Sequence, residues 1–334
     1  MNRLYPWQQA QWQRLQESRR QGRLPHALLL TGPQGLGKAH FADLFAQSLL
    51  CEAPQGEQGL PCGECRYCRL YRAGTHPDVS QVAPLEGKKG IGVDQVRAMG
   101  QFMALKSQYA GHKVVVIAPA EAMNINASNS LLKTLEEPTP GTVLLLATHL
   151  PAQLPATIRS RCQEIRFTPG DGSAARDWLQ QQQPEEKEID LLLALADGAP
   201  LKAQALAQGG LLEQRRSLFD NLDKLSRGRL DPIMLAGQCI KADPAWSLNC
   251  LHGWTVDMIR LASATQAPHL ANPDLQERML KLMNQVSLTD IYKLQDRIKQ
   301  ALQELERNFN PTLILESVLL LWQGCFRSAG RKIA

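Results

Sequence analysis

The segment Gly32-Pro33-Gln34-Gly35-Leu36-Gly37-Lys38-Ala39 has the form G-x-x-x-x-G-K. Such a loop turns backbone N–H groups inward around phosphate, the following helix N-terminus adds partial positive charge, and the lysine is a mobile cation for the outer phosphates. Gly32, Gly35, Gly37 and Lys38 are therefore the candidate nucleotide-binding residues. The position after the lysine ordinarily holds Ser or Thr, whose hydroxyl binds Mg²⁺. Here it is Ala39. The acids that bind metal and position water ordinarily follow a strand, and the strand-like run Val114–Ile117 leads into Ala118-Pro119-Ala120-Glu121. Ala118 and Pro119 carry no charge, and Glu121, several residues on, reads as a solvated first-turn helix residue. With neither hydroxyl nor acid, hydrolysis loses metal positioning and charge stabilisation together. The loop is expected to bind nucleotide weakly or not at all, and not to turn it over.

A second group of chemically competent residues is Cys51, Cys62, Cys65 and Cys68, half of the eight cysteines of the chain. Two successive x2 spacings let thiolates turn back on one ion, with Gly63 easing the knuckle, and four sulfurs in tetrahedral array suit Zn²⁺. The further Cys-Pro of the bacterial ferredoxin run is absent, which favours zinc over the alternatives, an iron–sulfur cluster or free thiols. With four protein ligands no position is left for a catalytic water, so the zinc is expected to be structural. His76, in Gly74-Thr75-His76-Pro77-Asp78, is either a replacement ligand or a turn residue. Cys162, Cys239, Cys250 and Cys325 are scattered and read as small core residues.

The elements that must position these groups are an α/β array. Ala27–Thr31, Val79–Ala83, Val114–Ile117, Val143–Thr148 and Glu164–Phe167 read as strands, the longer ones continuously apolar. Helical spacing recurs through Phe41, Leu44, Phe45 and Leu49, over Val93–Gln108 and over Asn126–Glu137, which Pro138 stops. Apolar strands alternating with helices predict a parallel sheet covered on both faces. The strand signal ends at the breaker cluster Thr168–Ser173. Beyond it the chain reads as helix, with short segments at Asp190–Ala196 and Leu201–Ala207, an amphipathic helix from Leu288 to Phe309, and a nearly all-apolar last helix from Thr312 to Trp322. A helix that apolar must be covered by its own bundle or by a partner.

Composition narrows the class. At 334 residues, 44% hydrophobic and 21% charged, the chain is an ordinary globular protein of two or three domains. Its longest aliphatic and aromatic run, Val318–Trp322, is far too short for a bilayer, and Met1–Trp7 lacks the apolar core of a signal peptide, so a cytoplasmic location is expected. A net charge of +5 permits nucleic-acid contact without demanding it. Aromatic residues are only 5%, no basic run is read as interleaved with them, and Arg14, Arg19, Arg20 and Arg23 read as a solvated helix face.

Taken with Leu131-Leu132-Lys133-Thr134-Leu135-Glu136-Glu137-Pro138, Leu145-Leu146-Ala147-Thr148 and Ser160-Arg161-Cys162, the phosphate loop and four-cysteine insertion resemble the AAA+ subunits of DNA clamp loaders over nearly the whole chain. Among the bacterial subunits of DNA polymerase III, the missing hydroxyl and acids resemble delta-prime, the non-hydrolysing relative, rather than the gamma/tau motor; Gly74–Asp78 also looks like delta-prime. The resemblance implies an AAA+ domain over 1–168 carrying a zinc insertion at 51–68, a small helical lid over 169–208 and a helical collar over 209–334. It implies gamma/tau and delta subunits as partners, with the sliding clamp and primed DNA reached through the complex. It assigns Arg161 as an arginine finger acting in trans on a neighbour's γ-phosphate, with Arg159 as a rival and an ion pair to Glu164 as the local alternative. The lid arginine by which the motor senses phosphate is matched by Leu201, with Lys202 an imperfect substitute. The competing functions are an active ATPase of the same superfamily and a zinc-dependent nucleic-acid-binding module.

Overall fold

The computed structural model describes residues 3–109, 111–170, 172–183, 188–264, 268–307 and 309–330. Of the segments read above, Met1, Asn2, Asp171 and Asn308 lie outside them, as do residues 184–187 of the expected lid and 265–267 and 331–334 of the expected collar. The chain forms two compact units, Met1–Gln182 with Ala199–Lys202, and Gln183–Gly198 with Ala203–Ala334.

In the first unit β1 (Ala27–Thr31), β2 (Val79–Val82), β3 (Lys113–Ile117), β4 (Thr142–Ala147) and β5 (Gln163–Arg166) make one sheet in the order β2-β3-β4-β1-β5. Every pairing is parallel, and Leu28 stands opposite Leu145 on one side and Gln163 on the other. β1, β3 and β4 are buried along their whole length, as their unbroken apolar runs require. β5 buries only Ile165 and turns charge outward, a common protection for an edge.

Strand alternation divides the core in two. Leu28, Leu30, Val114, Val116 and Leu145 meet α1 (Gln9–Arg20) and α2 (Lys38–Leu50) through Trp12, Phe41 and Phe45. Leu29, Val115, Ile117, Leu144 and Leu146 meet the other face's helices. Short α3 (Arg66–Arg72) belongs to the cysteine insertion, and the second face is covered by α4 (Val93–Ala104) and α5 (Ile125–Glu136). Val96, Met99 and Met103 of α4 and Ala127, Leu131 and Leu135 of α5 supply the helical stripes. α4 ends before the expected Gln108 because the chain turns at Leu105 and sends the Gln108 and Tyr109 N–H groups to the Asp78 carboxylate, at 2.8 and 2.9 Å. α6 (Ala156–Arg159) is a single turn. α7 (Ser173–Gln182) lies in the stretch read as helix, where the sequence set no bounds for it; it buries Ala175 and Leu179 and sets Trp178 edge-on to Tyr5 and Trp7.

The helices after α7 are α8 (Ile189–Leu195), α9 (Pro200–Gln208), α10 (Leu211–Ser226), α11 (Pro232–Ala242), α12 (Pro244–Ser263), α13 (Gln276–Met283), α14 (Leu288–Glu306) and α15 (Pro311–Gly330). Asp231 and Asp243 each accept two backbone N–H groups at the starts of α11 and α12, with proline in the first turn. The bundle core gathers Phe219, Leu222, Trp254, Met258, Ile298, Leu315, Leu319 and Trp322. Arg215 is buried but satisfied, donating to Asn272 Oδ1 and to both Asp274 oxygens. The helix read from Leu288 stops at Glu306, leaving Phe309 outside it and exposed. The bundle covers α15 through Ile314, Leu315, Val318, Leu319 and Trp322, but Leu313 (64% exposed) and Leu320 (51%) stay uncovered. Among the described residues no helix is long and apolar enough to cross a membrane.

Candidate functional site

The phosphate loop joins β1 to α2, at the carboxyl end of the sheet where open α/β folds bind ligands. Gly35 (φ 86°) and Gly37 (φ 76°) are left-handed, and a Cβ on Gly32 would lie 2.2 Å from the Phe167 carbonyl oxygen, so the glycines are sterically required. A cavity of about 460 Å³ opens over the loop, lined among others by Lys38, Ala39, Ala118, Pro119, Thr148 and His149. Of the four predicted loop residues, Gly35, Gly37 and Lys38 line it together with the ends of β3 and β4, whereas Gly32 lies against Phe167.

The loop's carbonyls are occupied by the chain's own donors. Lys38 Nζ donates to Gly32 O and Pro33 O, both at 2.6 Å. The Leu201 N–H donates to Gly35 O at 3.1 Å. The Trp7 indole donates to Leu36 O, and the Gln8 amide to Leu36 O and Gly37 O, at 3.0, 2.8 and 3.1 Å. Tyr5 stacks on Trp7 and lies against Gly37. Burial lowers Lys38 from its ordinary pKa to about 8, against the opposing pull of Glu121.

Glu121 is not the solvated residue its position suggests. The turn Ala120–Ala122 folds it back towards the end of β4, where its side chain is 7% exposed and pairs with His149 Nδ1. The same carboxylate accepts the His149 N–H at 3.3 Å. The pairing joins residues far apart in sequence, so no local pattern could have disclosed it. The N-terminal Tyr5, Trp7 and Gln8 were likewise missed, and the closely spaced Tyr5-Pro6-Trp7 was the available signal.

The four clustered cysteines converge: their sulfurs all lie within 4.8 Å of one another. Cys51–Cys65 and Cys62–Cys68 are 4.0 and 3.9 Å apart, close to the roughly 3.8 Å between sulfurs held tetrahedrally at about 2.3 Å from zinc. Backbone N–H groups of Cys62, Cys65 and Cys68 donate to the sulfurs of Cys51, Cys62 and Cys65 in turn, at 3.3, 3.3 and 3.4 Å. Such bonds, first that from Cys65, draw the Cys62 thiol down to about 6, whereas burial raises Cys51 and Cys68. The donor set and spacing fit a metal with a preference for thiolate. His76 is outside the set; it is buried, and its Nδ1 accepts the Asp78 N–H at 3.1 Å. Of the scattered cysteines, Cys239 and Cys325 are buried, whereas Cys162 and Cys250 are only partly so.

Arg161 lines neither the cavity nor the cysteine cluster. Its Nη2 pairs with Glu136 Oε1 at 2.8 Å and its Nη1 donates to Thr157 O at 3.1 Å. The local partner is therefore Glu136, at the end of α5, not Glu164, which instead accepts from Thr31 Oγ1 at 2.6 Å. Arg19 also departs from the solvated reading: it is partly buried and donates to Ser48 O at 3.0 Å.

The family model for DNA polymerase III, delta subunit, matches residues 7–171, and that for its C terminal matches 209–324. The chain is 38% identical over 324 residues to DNA polymerase III subunit delta' of Pseudomonas aeruginosa, spanning 96% of this chain and 97% of that one. The chain belongs to the delta-prime family of DNA polymerase III subunits. It is also 39% identical over 220 residues to subunit delta' of Haemophilus influenzae, 66% of each chain. The crystal structure of a DNA polymerase III gamma subunit-related protein of Thermotoga maritima shares the fold, with TM-score 0.50 and 18% identity over 94% of this chain and 99% of that one. The phosphate loop, the cysteines and Arg161 all fall within the first matched family segment, and α10 to α14 within the second.

Proposed function

We propose that the chain is the delta-prime subunit of a DNA polymerase III clamp loader, which does not hydrolyse ATP itself but assembles with gamma/tau and delta subunits to load the sliding clamp onto primed DNA. One observation carries the reading within the family: Ala39, Ala118 and Pro119 line the same cavity, at the places where a hydroxyl and acids would hold Mg²⁺. The closed carbonyls of the loop support weak nucleotide binding at most, since a phosphate must draw Lys38 away from two hydrogen bonds. Cys51, Cys62, Cys65 and Cys68 would hold zinc, which supplies a structural cross-link to the insertion. Residues 169–208 serve as the lid and 209–334 as the collar.

Arg161 acts on the neighbour's nucleotide. A guanidinium is always charged and presents a planar fork that suits a carboxylate or a phosphate equally. Alone, the subunit parks this fork on Glu136; in the assembled loader it exchanges that carboxylate for the γ-phosphate. The test is reconstitution with gamma/tau and delta subunits. The wild-type chain alone should show no ATPase activity, and the complex should load clamps. Arg161→Ala should leave assembly intact but lower DNA-dependent ATPase and loading by about tenfold or more, since such fingers are worth large factors in turnover; Arg159→Ala should do much less. Robust hydrolysis by the isolated chain would overturn the non-hydrolysing role, and unchanged rates with Arg161→Ala would remove the finger.

A further inference from the structure

α3 reads Arg66-Tyr67-Cys68-Arg69-Leu70-Tyr71-Arg72, a basic and aromatic alternation masked in the sequence by the metal-type cysteines around it. Its inward groups are accounted for. Cys68 joins the sulfur cluster, and the Tyr71 hydroxyl donates to Asp43 Oδ1 at 3.2 Å. Arg66, Arg69 and Arg72 recur every third residue, share the outward side and are exposed; none of them makes an ion pair with a described residue. Beside them is a braced aromatic column. Buried His76 packs against the edge of Tyr67 at 5.6 Å, Tyr67 stacks on Tyr109 at 5.5 Å and 28°, and the Arg66 guanidinium lies 5.2 Å from the Tyr109 ring centre. Tyr109 is 43% exposed, yet its position is set by the bond from its N–H to Asp78 Oδ2 at 2.9 Å.

We propose that this face of the cysteine insertion binds single-stranded nucleic acid, with Arg66, Arg69 and Arg72 on the phosphates and an unpaired base against the Tyr67–Tyr109 column. Unpaired cations alone would suit any polyanion. Fixed aromatic rings next to them add what an unpaired base uses and an acidic peptide does not, a flat surface for stacking. A duplex keeps its base faces covered, so the column distinguishes single strands from double. The surface is separate from the phosphate loop and from Arg161, and the proposal does not depend on the role given to either. The other use for the arginines would be to balance the charge of a metal held by four thiolates.

The experiment titrates the full-length, zinc-loaded chain into fluorescein-labelled oligothymidylate and follows anisotropy over a series of salt concentrations. The wild-type chain should bind at low salt and release as salt rises. Arg69→Glu with Arg72→Glu should weaken binding at least about tenfold and flatten the log–log salt slope by about 1.4, about 0.7 for each single-strand phosphate no longer neutralised. Tyr109→Ala should weaken binding by about fivefold to a hundredfold at unchanged slope, the range expected when one base loses its stacking partner. Zinc content and far-ultraviolet circular dichroism should match the wild type in both variants. The proposal is overturned by absence of wild-type binding at low salt, by unchanged affinity in the variants, by polyglutamate competing as well as the oligonucleotide at equal charge, or by loss of zinc from the arginine variant.

Discussion

Lys38 is a cation turned onto two carbonyls of the loop it terminates. Burial depresses its pKa from 10.5 to about 8. Between those values the unfolded chain holds the proton that the folded chain has released, so this group makes stability rise with pH through the window. The difference in melting temperature between the wild type and Lys38→Met should therefore move in favour of the wild type from pH 8 to pH 10; a flat difference would give Lys38 an ordinary pKa. For the cysteines, Cys65→Ser should remove the bound metal and lower the melting temperature, and elemental analysis of wild-type protein purified under reducing conditions should find one zinc per chain. Iron, or no metal, would contradict this. The loop glycines, Lys38 and the four cysteines were legible because each set acts over a short stretch of chain. The Glu121–His149 pair and the Arg161–Glu136 pair were not, because each forms only when separate elements meet.

At the scale of elements, the buried strands were legible as apolar runs and their helices as periodic stripes. What escaped was set by tertiary partners. The bounds of α7 were hidden because its few apolar groups, Ala175, Trp178 and Leu179 among them, run straight into the glutamines Gln180–Gln183; the helix becomes intelligible when Trp178 is seen against Tyr5 and Trp7. The early end of α4 follows from Asp78, which is fully buried, accepts two backbone N–H groups and pairs with buried Lys113 at 3.7 Å. Burial alone would raise the Asp78 pKa, but the N–H donors and Lys113 outweigh it and hold the carboxyl below the usual range. Its stabilising effect is thus present above about pH 4 and lost as pH falls through the depressed value. Asp78→Asn should cost about 3 kcal/mol at neutral pH by leaving Lys113 buried and unpaired. The deficit in denaturant midpoint should shrink in acid; a deficit independent of pH would assign it to packing.

For the molecule as a whole, the sequence correctly demanded cover for α15, and the bundle supplies it on one side only. Leu313 and Leu320, two turns apart, remain bare. If they form part of a collar contact, Leu313→Asp with Leu320→Asp should leave the isolated chain's stability within about 1 kcal/mol. The same variant should fail to co-elute with gamma/tau and delta subunits on size exclusion. Normal assembly would place the contact elsewhere.

The strand order also has a consequence for biosynthesis. β1 is the first strand to leave the ribosome, but the segments that flank it, around Leu145 and Gln163, are the last two strands of the sheet to be made. Until they emerge, Ala-Leu-Leu-Leu-Thr has both backbone edges unpaired, and its apolar side chains lack a complete core. Cotranslational folding of this unit therefore cannot proceed strand by strand from the N-terminus; it closes in one late step once β5 is available. A nascent chain stalled between β3 and β5 would be the form most in need of a chaperone.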